Sequence, residues 1–242
     1  QDAHEFLISL LNQLHSDLGG SQFSCKCPVH AHFTGVLQSD VTCLSCGTVN
    51  ASFDPFIDVS LDILTSSNDS NFVFDPSTST LTLNECFQLF THAEKLSSNT
   101  YMCANCNHTY QEATKQLSIR KAPEVLTIHL KRFEHSFNTV KIDSFLQFPS
   151  EFSIFDFTTE GVHLSNEVNR ISSTGTGLNA LNQPAISPSV IDPAYNVKKY
   201  SKEMLYRLVA TVNHSGVVDS GHYVSFVKSG EYAWVKFVDA NV

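Results

Sequence analysis

The residues best suited to chemistry are two short thiol pairs, Cys43-Leu44-Ser45-Cys46-Gly47 and Cys103-Ala104-Asn105-Cys106-Asn107. Two cysteines three positions apart on a tight turn present their sulfurs to one point, which supplies half of a tetrahedral zinc site. One such pair is ambiguous, because the same spacing serves thiol–disulfide exchange. Two pairs, each with Gly or Asn behind the second Cys and each beside strand-like sequence, point to one shared metal. The alternative is two unrelated reduced pairs. The gap between the pairs far exceeds that of a compact zinc finger, so a shared metal would tie together distant segments of a larger domain. The expectation is a structural zinc on Cys43, Cys46, Cys103 and Cys106.

A second group of ligand types is Cys25-x-Cys27-x-x-His30, with His15 a little upstream. These four would make a Cys2His2 site, although the spacing equally describes a loop with incidental ligands. Cys86 falls on the stripe Leu83, Cys86, Phe87 and Phe90, which assigns it to a core. His222 follows Gly221 at the start of a strand-like run, behind a Gly-containing turn. That position would expose an imidazole at a sheet edge and suits a general base, while an ordinary strand-start histidine is the alternative. A base needs a nucleophile, and six of the seven cysteines read as metal-bound and the seventh as core. A thiolate partner is therefore expected upstream of Gln1.

The elements that must position these residues are legible in part. Asp2-x-x-Glu5 resembles a capping box, followed by Leu7, Leu10, Leu11, Leu14 and Leu18 at helical spacing and a stop at Gly19-Gly20. Phe33, Gly35, Leu37 and Val41 alternate into the first thiol pair, and residues 48–53 run back out, giving a hairpin tipped by the metal. Asp54-Pro55-Phe56 breaks the pattern, residues 57–63 alternate again, and residues 65–80 read as a loop. Thr82-x-x-Glu85 is a second capping box. Strands are expected over residues 112–119, 125–133, 205–212 and 232–238, with His129, Lys131 and Arg132 as structural members of the second. Residues 158–200 lose periodicity and read as a flexible insertion. Two helices among hairpin-like strands give an α+β class.

Composition bounds the function. A net charge of -9 argues against a nucleic-acid surface, and no run is long and apolar enough to span a bilayer. Paired cysteines accompanied by histidines suit metal ligation in a reducing, intracellular compartment better than a disulfide framework. Gln1 opens on a helix-start signal without Met, and Val242 closely follows a strand-like run, so the chain is expected to belong to something longer.

Gln1-Asp2-Ala3-His4-Glu5-Phe6, the two thiol pairs, Leu130-Lys131-Arg132-Phe133, Ser220-Gly221-His222-Tyr223 and Trp234 occur in the order seen in ubiquitin-specific proteases. The chain resembles that family throughout except for the 158–200 insertion. In the run from Phe33 to Cys46, in Asp54-Pro55-Phe56 and in the Cys-x-Cys-x-x-His group it most resembles the histone deubiquitinase subunit of the SAGA transcriptional coactivator. The resemblance implies a papain-like cysteine protease of palm, thumb and zinc-tipped fingers, with part of the thumb missing. The whole chain would be a partial catalytic domain: residues 1–20 a thumb helix, 33–120 mainly fingers, 121–157 and 201–242 palm. It further implies cleavage after the ubiquitin C-terminal glycine, ubiquitinated histone as substrate, SAGA-type subunits as partners, a nuclear location, and no nucleic acid or membrane as partner. His222 matches the catalytic base, Asp2 and Glu5 match holders of the ubiquitin tail, and His214 belongs to a mobile loop beside the tail channel. The likeness also favours His15, Cys25, Cys27 and His30 as a second zinc site, so one or two zincs are expected.

The departures are equally specific. The family's Cys box and oxyanion-hole Asn are absent, and the third catalytic residue falls where this chain has Val238, with Asp239 one place later. Neighbouring strand residues face opposite ways, so Asp239 replaces the missing acid only if the strand ends or bulges there. No turnover is expected from the chain as written. The competing expectation is a catalytically inactive pseudoprotease that binds ubiquitin or scaffolds a complex.

Overall fold

Gly35–Cys43 is an inner strand of a four-stranded antiparallel sheet, flanked by Val49–Phe56 on one side and Ala113–Lys121 on the other, with Glu94–Lys95 beyond. The computed structural model describes residues 2–20, 25–63, 80–97, 99–135, 139–173, 204–217, 220–231 and 233–238. The register runs Gly35 opposite Phe56 to Thr42 opposite Val49, and Cys43 opposite Ala113. Asp54-Pro55-Phe56 does not break this hairpin as the sequence suggests. Val49–Phe56 lies at the sheet edge, where Pro55 loses no ladder hydrogen bond that the sheet requires.

The main core lies below this sheet. Phe87 and Cys86, on helix α3 (Leu83–Phe90), pack with Val59, Leu61, Ile119, Ile154 and Phe157. Phe87 stacks with Phe157 at 4.9 Å and meets Phe152 at 5.3 Å. Burying one such ring contributes about 1.5–3 kcal/mol. The capping box at the start of this helix is present: Thr82 Oγ1 accepts from the Glu85 N–H, and Glu85 accepts from the Thr82 N–H. Through this core runs the parallel pair Asp58–Leu61 and Thr127–Leu130. The expected 125–133 strand is interrupted after Leu130, since Phe133–His135 turns away to pair with Thr139–Lys141.

Helix α1 (Ala3–Asp17) opens on Asp2, whose carboxylate accepts from the N–H of His4, not Glu5. Leu7 and Leu11 pack on Cys27, Val29, Phe33 and Ile57, while Leu10, Leu14 and Leu18 of the same leucine series stand exposed. A short helix, α2 (Pro28–Phe33), follows.

Four helices are described where two were expected. The fourth, α4 (Thr159–Ser173), occupies the start of the 158–200 segment that reads in the sequence as a flexible insertion. Thr158 Oγ1 accepts from the Gly161 N–H at its start, and Thr159 bonds Ser118 Oγ at 3.0 Å. These buried hydroxyls anchor the start of the helix, and Leu164, Val168 and Ile171 recur at helical spacing in the sequence, a stripe that runs against the expected loss of periodicity. Residues 174–203 lie outside the described residues.

The C-terminal portion is a second antiparallel sheet, Ala210–Gly216, Gly221–Ser229 and Ala233–Val238. The expected 205–212 strand divides at Leu208 and Val209, because Leu205–Arg207 pairs with Glu151–Ser153 instead.

Candidate functional site

The two thiol pairs meet. Cys43, Cys46, Cys103 and Cys106 bring their sulfurs within 4.8 Å of one another. Cys43 Sγ lies 4.0 Å from Cys106 Sγ and Cys46 Sγ 3.6 Å from Cys103 Sγ. A zinc with four sulfurs at about 2.3 Å has tetrahedral edges of about 3.8 Å, so the group fits that ion. Each hairpin tip needs a left-handed residue behind its second Cys, and Gly47 (φ 73°) and Asn107 (φ 53°) supply it. The turns close through Gly47 N–H to the Cys43 carbonyl at 2.9 Å and His108 N–H to the Cys103 carbonyl at 3.1 Å.

The electrostatics of the four thiols call for a cation. Hydrogen bonds from the Thr48 side chain and backbone pull Cys46 from 9.0 to about 6. Thr48 Oγ1 lies 3.3 Å from Cys46 Sγ and accepts from Asn105 Nδ2 at 2.7 Å. Desolvation first, then the sulfurs of Cys46, Cys103 and Cys43, push Cys106 up to about 12. Four thiolates stand together only when a metal charge balances them.

The second ligand group also assembles. His15, Cys25, Cys27 and His30 place their ligand atoms within 4.8 Å of one another. His15 Nδ1 stands 3.3 Å and His30 Nδ1 3.7 Å from Cys27 Sγ. Mixed edges of a tetrahedral zinc with nitrogen and sulfur ligands are about 3.6 Å, again a fit. Cys27 caps α2, and its sulfur accepts the His30 N–H at 3.4 Å, so the metal ligand and the helix start are one residue. Cys86 is buried instead, and burial raises its thiol to about 11.

His222 begins the central strand of the C-terminal sheet, opposite Ser215, with His214 opposite Tyr223. Gly221 has no room for a side chain, since a Cβ there would lie 2.0 Å from His214 Nε2. The His214 ring packs against Phe133 at 5.6 Å and Tyr223 at 4.9 Å, with a buried Nδ1 that has no hydrogen-bond partner among the described residues. On the other neighbour, Val238 stands opposite Val224. Directly opposed residues share a sheet face and alternate residues of one strand do too, so Val238 lies on the His222 face, one diagonal away. Asp239 lies outside the described residues.

Asp2 and Glu5 open α1, apart from this hairpin in sequence. Asp2 gathers with His4 and His129, ligand atoms within 4.8 Å. His4 Nε2 is 3.1 Å from Asp58 Oδ2. His129 Nδ1 bonds Ser60 Oγ at 2.9 Å, and Ser60 donates to Asp58 at 2.8 Å. The sequence assigns His4, Asp58 and Ser60 no chemical role and His129 a structural one on its strand. The available signal was a histidine in the first turn of a helix and another on an apolar strand. Among the described residues no helix is long and apolar enough to cross a membrane.

The fold is α+β, with antiparallel sheets and Cys-tipped hairpins. The ubiquitin carboxyl-terminal hydrolase family model matches residues 1–242, and the chain belongs to that family. It is 38% identical over 261 residues to ubiquitin carboxyl-terminal hydrolase 22 of Homo sapiens, covering 99% of this chain and 45% of that protein. It is 32% identical over 267 residues to ubiquitin C-terminal hydrolase 22 of Arabidopsis thaliana, covering 100% of this chain and 45% of that protein. The chain thus spans less than half the length of these relatives. Among solved structures it is similar to a chain of the SAGA Ubp8/Sgf11/Sus1/Sgf73 DUB module bound to ubiquitin aldehyde, at TM-score 0.68 and 30% identity, covering 99% of this chain and 44% of that one. A yeast SAGA DUB module structure gives TM-score 0.69 at 30% identity, covering 99% and 45%.

Proposed function

We propose that this chain is the ubiquitin-gripping, base-bearing part of a thiol-dependent deubiquitinase. The observation that carries the reading is His222 at the head of a central strand, fixed behind Gly221, in a chain that the family model matches along its whole length. His222 takes the proton of a cysteine thiol, the thiolate attacks the carbonyl of the ubiquitin C-terminal glycine, and the imidazolium returns the proton to the departing amine. Water then cleaves the thioester. Each of the seven cysteines here belongs to one of the two metal groups or to the core, so the nucleophile is contributed from outside these 242 residues.

In this reading residues 1–20 belong to the thumb, 33–120 mainly to the fingers, and 121–157 with 201–242 to the palm. The paired hairpins of the fingers are tied by one zinc on Cys43, Cys46, Cys103 and Cys106, and α1 is tied to α2 by another on His15, Cys25, Cys27 and His30. Asp2, Glu5 and His214 hold the extended ubiquitin tail, and Asp239 is the candidate orienter of His222. Likeness to SAGA modules supports monoubiquitinated histone as substrate, SAGA-type subunits as partners and a nuclear site of action.

A second reading has one specific observation in its favour. Val238 is an apolar residue at the position where the family resemblance places the third catalytic residue, which suits a pseudoprotease that holds ubiquitin without cleaving it. Turnover of a ubiquitin C-terminal fluorogenic amide by the complete protein decides between them. Activity that His222→Ala abolishes supports the hydrolase, and tight ubiquitin binding without turnover supports the pseudoprotease.

A further inference from the structure

The outer side of the His222 hairpin carries a residue to which the family reading gives no role. Val217 donates its N–H to the Ser220 carbonyl at 2.9 Å. Hydrogen-bonded pairs alternate along an antiparallel ladder, so the next bonded pair is Ser215 with His222. The carbonyls of His214 and Gly216 therefore face away from the central strand, and Ala210–Gly216 is an edge strand. Outward carbonyls that are covered by other elements need a donor.

Lys141 supplies that donor. Its Nζ donates to the Gly216 carbonyl at 2.8 Å and to the His214 carbonyl at 3.4 Å. Asp143 Oδ1 lies 2.9 Å away, and the lysine side chain is only 11% exposed. Three acceptors match the three ammonium protons. Lys141 stands opposite Phe133 in its two-stranded ribbon, and Phe133 meets the His214 ring edge-on. The ribbon thus grips the hairpin through a ring contact and an ammonium, and the two carbonyls it holds bracket Ser215, the partner of His222. Gly216, at φ 122°, is in a conformation that favours glycine, and its carbonyl direction is one that the ammonium fixes.

We propose that Lys141 is a positioning residue, which clamps the backbone of residues 214–216 and thereby sets where the His222 imidazole stands. This rests on the reading of His222 as the general base. The test uses the complete protein with Lys141→Met, which keeps the aliphatic stem, Lys141→Arg, which keeps donors, and Arg207→Met, which removes an exposed ion pair to Glu151 elsewhere. Lys141→Met is expected to lower kcat on a ubiquitin C-terminal fluorogenic amide on the order of tenfold to a hundredfold, as a displaced catalytic group does. KM is expected to rise as well, since the clamp also holds the backbone of His214, a proposed holder of the ubiquitin tail. Amide deuterium exchange over residues 210–226 is expected to accelerate, Lys141→Arg to restore most of both properties, and Arg207→Met to change neither. Should Lys141→Met fail to fold, as judged by zinc content and melting, Lys141→Gln takes its place. Wild-type kcat and exchange in the Lys141 variant, beside an inactive His222→Ala, overturn the positioning role. Full activity in His222→Ala overturns the base assignment instead, and the exchange measurement then still decides whether Lys141 holds the hairpin.

Discussion

The imidazoles of His4 and His129 lie face to face, with centroids 3.8 Å apart and planes within 4° of parallel. This stack joins the first turn of α1 to the strand Thr127–Leu130. Parallel rings send their in-plane lone pairs side by side, so the Asp2, His4 and His129 group is a brace and not a chelate. Two charged rings in such a stack would repel. Burial first, then the His4 charge and Lys131, lower the His129 pKa from 6.5, against the opposing pull of Asp2 and Asp58.

The sign of the pH dependence follows. With its folded pKa below the unfolded value of 6.5, His129 leaves the unfolded chain binding more protons as pH falls through 6.5. Its contribution is complete above that value and declines on acidification. Melting temperature is expected to drop from about pH 7.5 to about pH 5.5, and His129→Gln, which keeps a donor for Ser60 but cannot ionise there, to show a flatter decline. Identical slopes in both proteins would refute the neutral-His129 brace.

Metal content makes a separate prediction. Elemental analysis should find about two zincs per chain, because two four-ligand groups fit the ion. His15→Ala should release about one and leave the Cys43, Cys46, Cys103 and Cys106 group loaded, while Cys103→Ser should do the reverse. Loss of both metals from either variant would show that the sites are not independent.

Core packing predicts the cost of Phe87→Ala. The ring is fully buried between Phe152 and Phe157, and its removal should destabilise the domain by about 3–5 kcal/mol in urea unfolding. A change below about 1 kcal/mol would mean that the site collapses to fill the cavity.

Gly221→Ala should disrupt the hairpin without affecting metal. The new Cβ would lie 2.0 Å from His214 Nε2, so the ring must leave its place beside Phe133 and Tyr223. Tryptic cleavage at Lys228 is expected to quicken while zinc content stays unchanged. Unaltered cleavage would contradict the packing described for His214.

Much of the site was legible in the sequence because its chemistry is local. A Cys-x-x-Cys turn with Gly47 or Asn107 behind it encodes both its ligands and its left-handed backbone, and Thr82-x-x-Glu85 encodes its own cap. The joining of His15 to Cys25, Cys27 and His30 was left open by spacing and needed the path of α1 to decide it. What stayed hidden depends on partners distant in sequence. The hydroxyl bond that anchors Thr159 of α4 on Ser118, the Pro55 strand made tolerable by an edge, and the hold of Lys141 on His214 and Gly216 are all tertiary. Local propensity cannot report them.

The most direct test of the proposed chemistry is mass spectrometry of the complete protein after reaction with a ubiquitin C-terminal electrophile. The predicted result is one covalent ubiquitin adduct, dependent on His222, on a cysteine other than Cys25, Cys27, Cys43, Cys46, Cys86, Cys103 and Cys106. No adduct, or an adduct on any of those seven, would contradict the assignment of His222 as the base for an external thiol.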